Sequence, residues 1–267
     1  MNQRFFVTGS ASGIGRHLTQ VLLDRGAEVW ATDVDPSGLE ALQNEHGTEK
    51  LHVRRLDVTD PAAWRAVFGE AEAAGPVDVL LNVAGYLRPG HLVDATDADV
   101  DRHFDVNVKG VALGTRTAAR AMRARGRGHV INFASLAAMA PIPGLTLYSA
   151  SKFAVRALSL AAAEELRPLG IAVTALCPDA VQTPMLDLQV GYDEAALTFS
   201  APRILSVEDV ARVVLGPVLS KRPLVVCLPW HRGWLARFAD LFPRVSRWLA
   251  PALRRKGRQA QAARRGV

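Results

Sequence analysis

Thr8-Gly9-Ser10-Ala11-Ser12-Gly13-Ile14-Gly15 is the stretch on which the fold turns. A strand-like run, Arg4-Phe5-Phe6-Val7, leads into it, and Leu18, Val21 and Leu22 follow at helical spacing. Strand, glycine-rich turn and helix in this order make a dinucleotide turn. Gly9, Gly13 and Gly15 permit a tight bend and close backbone approach, while the helix N-terminus offers free N–H groups and a positive dipole end to a pyrophosphate. The next strand, beyond that helix, ends Trp30-Ala31-Thr32-Asp33. A carboxylate there accepts both hydroxyls of an adenosine ribose and repels a 2′-phosphate. Ser12, where a cation would await that phosphate, is neutral. The pattern predicts NAD over NADP, with a helix-capping role for Asp33 as the plainer alternative. Asp57-Val58 is placed to meet the adenine edge.

Outward from this turn the chain alternates. Strand-like runs fall at 4–8, 28–32, 51–56, 77–81, 129–133, 171–176 and 224–228, and helical periodicity at 13–25, 37–45, 61–73, 107–125, 148–166 and 207–219. Such βαβ alternation predicts an α/β fold: a single-domain, doubly wound, mostly parallel seven-stranded sheet with helices on both faces. The expected division is a catalytic unit over 1–229, including an irregular lid at 184–205, and a basic amphipathic extension over 230–267.

Composition sets the outer bounds. At 267 residues with 49% hydrophobic and 22% charged side chains, the chain is neither disordered nor minimal. Cys177 and Cys227 cannot build a disulfide framework and are expected reduced and buried. The seven His are scattered, so no metal is expected. With no signal-peptide pattern and no apolar run of about 18 residues, a cytoplasmic location is expected. The net charge of +6 is uneven. The stretch 221–267 holds 12 of the 32 Lys and Arg against one acid, Asp240, which leaves the body of the chain mildly acidic. No base-reading module accompanies the basic end, so nucleic acid is not expected.

The chemistry concentrates in Tyr148-Ser149-Ala150-Ser151-Lys152. Tyr148 and Lys152 are i and i+4, one turn apart on one helix face. A phenol with pKa near 10 is a poor base at neutral pH, but a nearby ammonium and an oxidised nicotinamide both favour tyrosinate. Such a group removes the hydroxyl proton of an alcohol as hydride leaves, or returns it in reverse. Ser135, upstream of the pair and just past the end of a strand, is placed to hydrogen-bond the substrate oxygen.

With these residues in place, the sequence resembles the short-chain dehydrogenase/reductase family over nearly all of 4–228. The resemblance rests on the loop at 8–15, Asp57-Val58, Asn82-Val83-Ala84-Gly85, Asn107, Ser135, the Tyr148/Lys152 pair and the run from Pro178 to Thr183. It implies Tyr148 as acid/base, Ser135 polarising the substrate oxygen, and Lys152 binding the nicotinamide ribose and tuning Tyr148. It implies that Asn107 holds a water in a proton relay from Lys152. Asn82, Ala84 and Gly85 would support the central strand and cofactor, with Ile14, Pro178 and Thr183 on the nicotinamide side. Two positions depart from the pattern: Val83 replaces an Asn, and Asp179 replaces a Gly. An ionised Asp179 near the ring would favour cationic NAD; an Asp pointing to solvent would not.

The wall at 136–143 is uncharged, and Met185, Leu186, Leu188, Val190, Tyr192, Leu197 and Phe199 make the lid apolar. With Leu87 and Leu92 facing the same cleft, this suits a hydrophobic secondary alcohol or ketone, steroid-like or lipid-like; Arg88 and His91 would reach a polar tail. Beyond residue 229, Trp, Phe and Leu, with Leu249 among them, recur near helical spacing between arginines, and Pro243 divides them into two short helices. This segment reads either as an in-plane membrane contact through 230–258 or as a cap on the cleft or subunit interface, and 254–267 as a frayed basic end. Two other functions compete: a 3-oxoacyl-thioester reductase docking an acidic carrier on Arg116, Arg120, Arg123, Arg125 and Arg127, and a non-catalytic dinucleotide sensor. The resemblance implies a homodimer or homotetramer through the helices of Asn107 and Tyr148.

Overall fold

The computed structural model describes residues 3–265, the side chains of Ser246 and Leu249 excepted. Strands β1 (Arg4–Thr8), β2 (Glu28–Asp33), β3 (Leu51–Arg55), β4 (Val79–Asn82), β5 (Gly128–Phe133), β6 (Ile171–Pro178) and β7 (Val225–Leu228) form one parallel sheet in the order β3-β2-β1-β4-β5-β6-β7. Every residue of β4 and β5 is buried, because both sheet faces are covered. Phe5, Val7, Leu18 and Val210 pack on one face, and Phe6, Trp30, Trp64 and Phe68 on the other. The strand order reverses between β1 and β4, which opens a crevice at the carboxyl edge.

Local signals fix the helices. Helix α1 (Gly13–Asp24) follows the glycine turn; α2 (Pro36–His46) and α3 (Pro61–Ala74) each start with Pro and are capped by Asp35 and Asp60. Helix α4 (Asp97–Phe104) lies outside the expected elements. Its acidic sequence has little apolar periodicity, but Thr96 and Asp99 form a capping box that starts it. A π-turn, Asp105–Lys109, joins it to α5 (Gly110–Arg123). Helix α6 (Thr146–Leu166) carries Tyr148 and Lys152. The segment 184–205 is more ordered than expected: α7 (Pro184–Gln189) and 3-10 turns at Asp193–Ser200 bury Leu186, Ala195, Ala196 and Phe199. Helix α8 (Val207–Val213) continues through a π-turn at Pro217, which lacks the N–H of a regular turn, into α9 (Leu219–Lys221).

What orders the lid is the C-terminal end. Helix α10 (Trp230–Leu241) and helix α11 (Pro243–Arg265) break near Pro243 as expected, but α11 is long and does not fray at Arg254. The end of the expected frayed segment, 266–267, lies outside the described residues. A Cβ on Gly257 would sit 1.9 Å from the Ala196 carbonyl oxygen, so the backbones approach closely there. The Gln261 amide donates to the carbonyls of Gln189, Val190 and Tyr192 at 3.0, 3.2 and 2.7 Å. Arg265 binds the Val190 carbonyl and Asp193. Gln261→Ala leaves these carbonyls short of donors and should cost about 1–3 kcal/mol of stability. Urea unfolding reads the loss, and faster hydrogen exchange confined to residues 189–200 shows that the lid is what loosens.

Candidate active site

A cleft of about 1110 Å³ runs along the carboxyl edge of β1, β4, β5 and β6. Gly9, Ser12, Gly13, Ile14, Gly15, Asp33, Asp57 and Val58 line one end of it. Gly9 has φ +74°, and a Cβ on it would lie 2.8 Å from the Ala84 nitrogen. Gly15 backs still more closely onto the Gly9 carbonyl, where a Cβ would lie 2.0 Å from the oxygen, so the turn is as tight as the sequence suggests. Ser12 begins α1 without capping it through its side chain. One Asp33 oxygen accepts from the Ala11 N–H at 3.0 Å and the other from the Asp35 N–H at 3.1 Å. Helix α2 is capped by Asp35, so the plainer alternative for Asp33 fails and its carboxylate is held at the cleft wall. Asp57 accepts from the N–H and hydroxyl of Thr59, which fixes its turn.

Ala84 and Gly85 line the cleft, whereas Asn82 lies buried beneath it. The Asn82 amide donates to Asn132 at 2.8 Å, and Asn132 donates to the Ser159 hydroxyl at 3.0 Å. This polar chain ties β4, β5 and α6 together under the site. Asn132 and Ser159 escaped the sequence reading, although an Asn between Ile131 and Phe133 in β5 was the available signal. Thr8 completes the floor, its hydroxyl accepting from the N–H groups of Val83 and Ala84.

Ser135, Tyr148 and Lys152 converge where β5 and β6 end. The Lys152 ammonium is buried, donates to the Phe133 carbonyl at 2.8 Å and lies 5.6 Å from the centre of the Tyr148 ring. Burial pulls Lys152 down to about 8. Desolvation pushes the Tyr148 hydroxyl up to about 12, against the opposing hydrogen bond from Ser135. Asn107 sits in the π-turn before α5. Its side chain exchanges hydrogen bonds with the Tyr86 backbone at 2.7 and 2.9 Å and donates to the Ser151 hydroxyl at 2.9 Å. It therefore locks the loop after β4 onto α6, and a π-turn is a common way to aim one side chain from a helix. Both thiols are free, with Cys177 buried behind Ser135 and Cys227 half-buried on β7.

Pro178, Asp179 and Thr183 line the far end. Asp179 does not point to solvent. It pairs with Arg232 of α10, and its own desolvation raises its carboxyl above the usual range. The arginine compensates the carboxylate, so Asp179 ties α10 to the cleft instead of supplying a lone negative charge. The substrate end is walled by Leu87, Leu136, Ala140, Ile142, Met185 and Leu197. Several expectations fail here. Leu92 and Leu188 are exposed, Phe199 is buried under Arg264, and Arg88 and His91 lie outside the cleft, with Arg88 paired to Asp99. Leu235, Ala236, Phe238 and Val245 of the extension do line it, which supports the cap alternative. Among the described residues no cluster of His, Cys, Asp or Glu is placed to hold a metal ion.

A parallel doubly wound sheet with a glycine turn after its first strand, and a half-buried tyrosine beside a buried lysine at the carboxyl edge of the same sheet, defines a class of dinucleotide-fold oxidoreductases. The family model described as short chain dehydrogenase matches residues 3–190, and the chain belongs to that family. Over 199 residues it is 36% identical to 2-keto-3-deoxy-L-fuconate dehydrogenase of Xanthomonas campestris pv. campestris, covering 73% of this chain and 65% of that protein. Over 182 residues it is 38% identical to 3-alpha-(or 20-beta)-hydroxysteroid dehydrogenase of Mycobacterium tuberculosis, covering 68% and 70%. The crystal structure of a short chain dehydrogenase/reductase from Burkholderia phymatum in complex with NAD superposes with a TM-score of 0.82 at 25% identity, over 92% of this chain and 95% of that one.

The free protein should keep Tyr148 as a phenol through the range, around pH 10, in which ordinary tyrosines ionise. Tyrosinate absorbance of the wild type and of Tyr148→Phe should therefore coincide until the pH approaches about 12. A difference appearing near pH 10 contradicts the desolvation of the hydroxyl.

Proposed function

We propose that the protein is an NAD-dependent dehydrogenase/reductase that interconverts a hydrophobic secondary alcohol, steroid-like or lipid-like, and its ketone. The observation that carries the reading is the meeting of Tyr148, Ser135 and Lys152 in a cleft beside Leu87, Leu136, Ala140, Ile142, Met185 and Leu197. The hydroxysteroid specificity of the mycobacterial relative agrees with it. Gly9, Ser12, Gly13, Ile14, Gly15 and Asp33 fit a dinucleotide: the turn leaves no room for a Cβ at Gly9, and the Asp33 carboxylate waits where a ribose diol would bind and a 2′-phosphate would be repelled. Asp57 and Val58 border the adenine, and Ala84, Gly85, Pro178 and Thr183 the nicotinamide half, with Asn82 supporting them from below.

When bound, the nicotinamide accepts or supplies the hydride and, when oxidised, adds a positive charge. Tyr148 takes the hydroxyl proton of the alcohol as the carbinol hydride departs, and returns a proton to the ketone oxygen in reverse. Ser135 holds the same oxygen. Lys152 hydrogen-bonds the ribose and favours the tyrosinate. Asn107 positions the Tyr86 loop against α6, and in this reading it holds the relay water beside Lys152. The catalytic unit is 1–229, and the extension beyond it borders the cleft through Leu235, Ala236, Phe238 and Val245. The assembly is a homodimer or homotetramer through α5 and α6, cytoplasmic and in contact with a membrane surface through 230–258. No helix among the described residues is long and apolar enough to cross a membrane. Asp33 weighs against the thioester-reductase reading, which favours NADPH, and the assembled Ser135/Tyr148/Lys152 set weighs against a mere sensor.

The test is a panel of hydrophobic secondary alcohols with NAD, read at the nicotinamide absorbance. Turnover is expected, and Tyr148→Phe should lose about 10²–10⁴-fold in kcat while still binding NAD. If no alcohol or ketone turns over with either coenzyme, the enzyme reading fails and the sensor reading replaces it. Because an oxidised nicotinamide adds positive charge, saturating NAD should bring a tyrosinate signal to lower pH in the wild type and not in Tyr148→Phe.

Asp33→Ser removes two charge-assisted hydrogen bonds to the ribose and the repulsion of a 2′-phosphate. Its kcat/KM with NADH should fall about 10–100-fold while that with NADPH rises. A wild type that prefers NADPH overturns the coenzyme assignment.

A further inference from the structure

The C-terminal helices leave an apolar face that nothing in the described fold covers. Trp230, Trp234, Leu241 and Trp248 are 71, 64, 73 and 80% exposed, and Phe242 and Val245 lie among them. A monomer seldom tolerates so many large exposed side chains in one segment unless the patch meets a partner. Arg244, Arg247, Arg254, Arg255, Lys256 and Arg258 are exposed along the same pair of helices, and Asp240 is the one acid between residues 230 and 265. Aromatic rings beside many cations match an anionic lipid interface, where the rings sit among headgroups and the cations meet phosphates. The platform is firmly mounted. Arg232 binds Asp179, Gly233 packs so closely on Cys227 that a Cβ would clash, and Gln261 holds the lid.

A second feature gives this face a purpose. Leu235 and Phe238 line the cleft and yet are 65 and 53% exposed, so the rim of the substrate end is apolar and continues into the outer face. Met185 and Leu186 of α7 and Leu253 of α11 complete the passage. We infer that α10 and the first half of α11 lie in the surface of an anionic membrane, and that the alcohol or ketone enters from the lipid through the mouth between Leu235, Phe238 and α7. The inference rests on the reading of the cleft as a site for a hydrophobic alcohol. It fixes the substrate class further: a molecule that partitions into bilayers, delivered without crossing water. Burial of apolar rim surface drives the contact, and the bases choose the leaflet charge.

The experiment uses the full-length protein with vesicles of phosphatidylcholine, alone or mixed with phosphatidylglycerol. Trp30 and Trp64 are buried, so a blue shift of tryptophan emission on lipid binding reports the three outer rings. Sedimentation with the mixed vesicles and such a shift are expected, with at least tenfold weaker binding to phosphatidylcholine alone. A triple variant, Trp230→Ser, Trp234→Ser and Trp248→Ser, should lose the binding, and Arg244→Glu with Arg247→Glu should lose the preference for anionic vesicles. None of these five residues lines the cleft. Each variant should therefore turn over a small water-soluble secondary alcohol like the wild type, but lose about tenfold in kcat/KM for a long-chain alcohol dissolved in the vesicles. Absence of vesicle binding by the wild type, its persistence in the triple variant, or burial of the three rings in a self-association that lipid does not disturb overturns the inference. Vesicle binding is read without turnover, so a failed catalytic reading shows up separately, as binding without oxidation of any alcohol.

Discussion

A buried ammonium constrains everything around the site. Lys152 has been taken out of water with the Phe133 carbonyl as its hydrogen-bond acceptor, and such a charge is costly unless its surroundings compensate. Its descent to about 8 and the rise of Tyr148 to about 12 have one cause, since desolvation disfavours the charged form of each. The two shifts are mutually relieving. Ionising the phenol makes the ammonium cheaper to keep, and keeping the ammonium makes the phenolate cheaper to form. The free site therefore holds the phenol in its neutral form, and added positive charge moves the phenol toward its base form. That balance requires the end of β5, the first turn of α6 and the loop after β4 to be fixed together. The Asn82–Asn132–Ser159 chain and Asn107 do so from below and from the side.

Much of this was legible in the chain. All seven strands stand where apolar runs put them, and the glycine turn is as tight as predicted, with positive φ at Gly9 and Gly13. Those features depend on neighbours close in sequence, which is where pattern reading has its force. Helix α4 was lost because a capping box carried the signal that apolar periodicity withheld. The inner polar chain was lost because Asn132 and Ser159 look like isolated substitutions until the sheet brings them to Asn82. Arg88 and His91 were misplaced for a related reason. Their loop is turned away from the cleft by the Arg88–Asp99 pair, a contact between a loop and the helix the sequence did not announce.

The lid shows the same limit more sharply. Residues 184–205 contain few helix signals, and their order comes from Gly257 and Gln261, far downstream in the chain. A segment that looks irregular in isolation is regular in context because a distant helix supplies its hydrogen-bond donors. The apolar lid residues then divide by which surface they meet: Phe199 turns under α11, while Met185 and Leu197 remain at the cleft.

Asp179 links the chemistry to the extension. A glycine there would leave the strand end free of any side chain, whereas an aspartate placed in a desolvated corner demands a cation. Arg232 answers that demand from the first turn of α10, so a residue of the cleft wall also sets where the C-terminal helix begins to cross the cleft. Once α10 is held there, Gly233 brings it onto β7, and its apolar side divides between the cleft rim and the outside. The extension is thus a continuation of the wall of the cleft that Tyr148 lines. Moving α10 would expose the Asp179 carboxylate and widen the cleft in one step, which is why the width of the cleft and the electrostatics at this end of it cannot be varied independently in this fold.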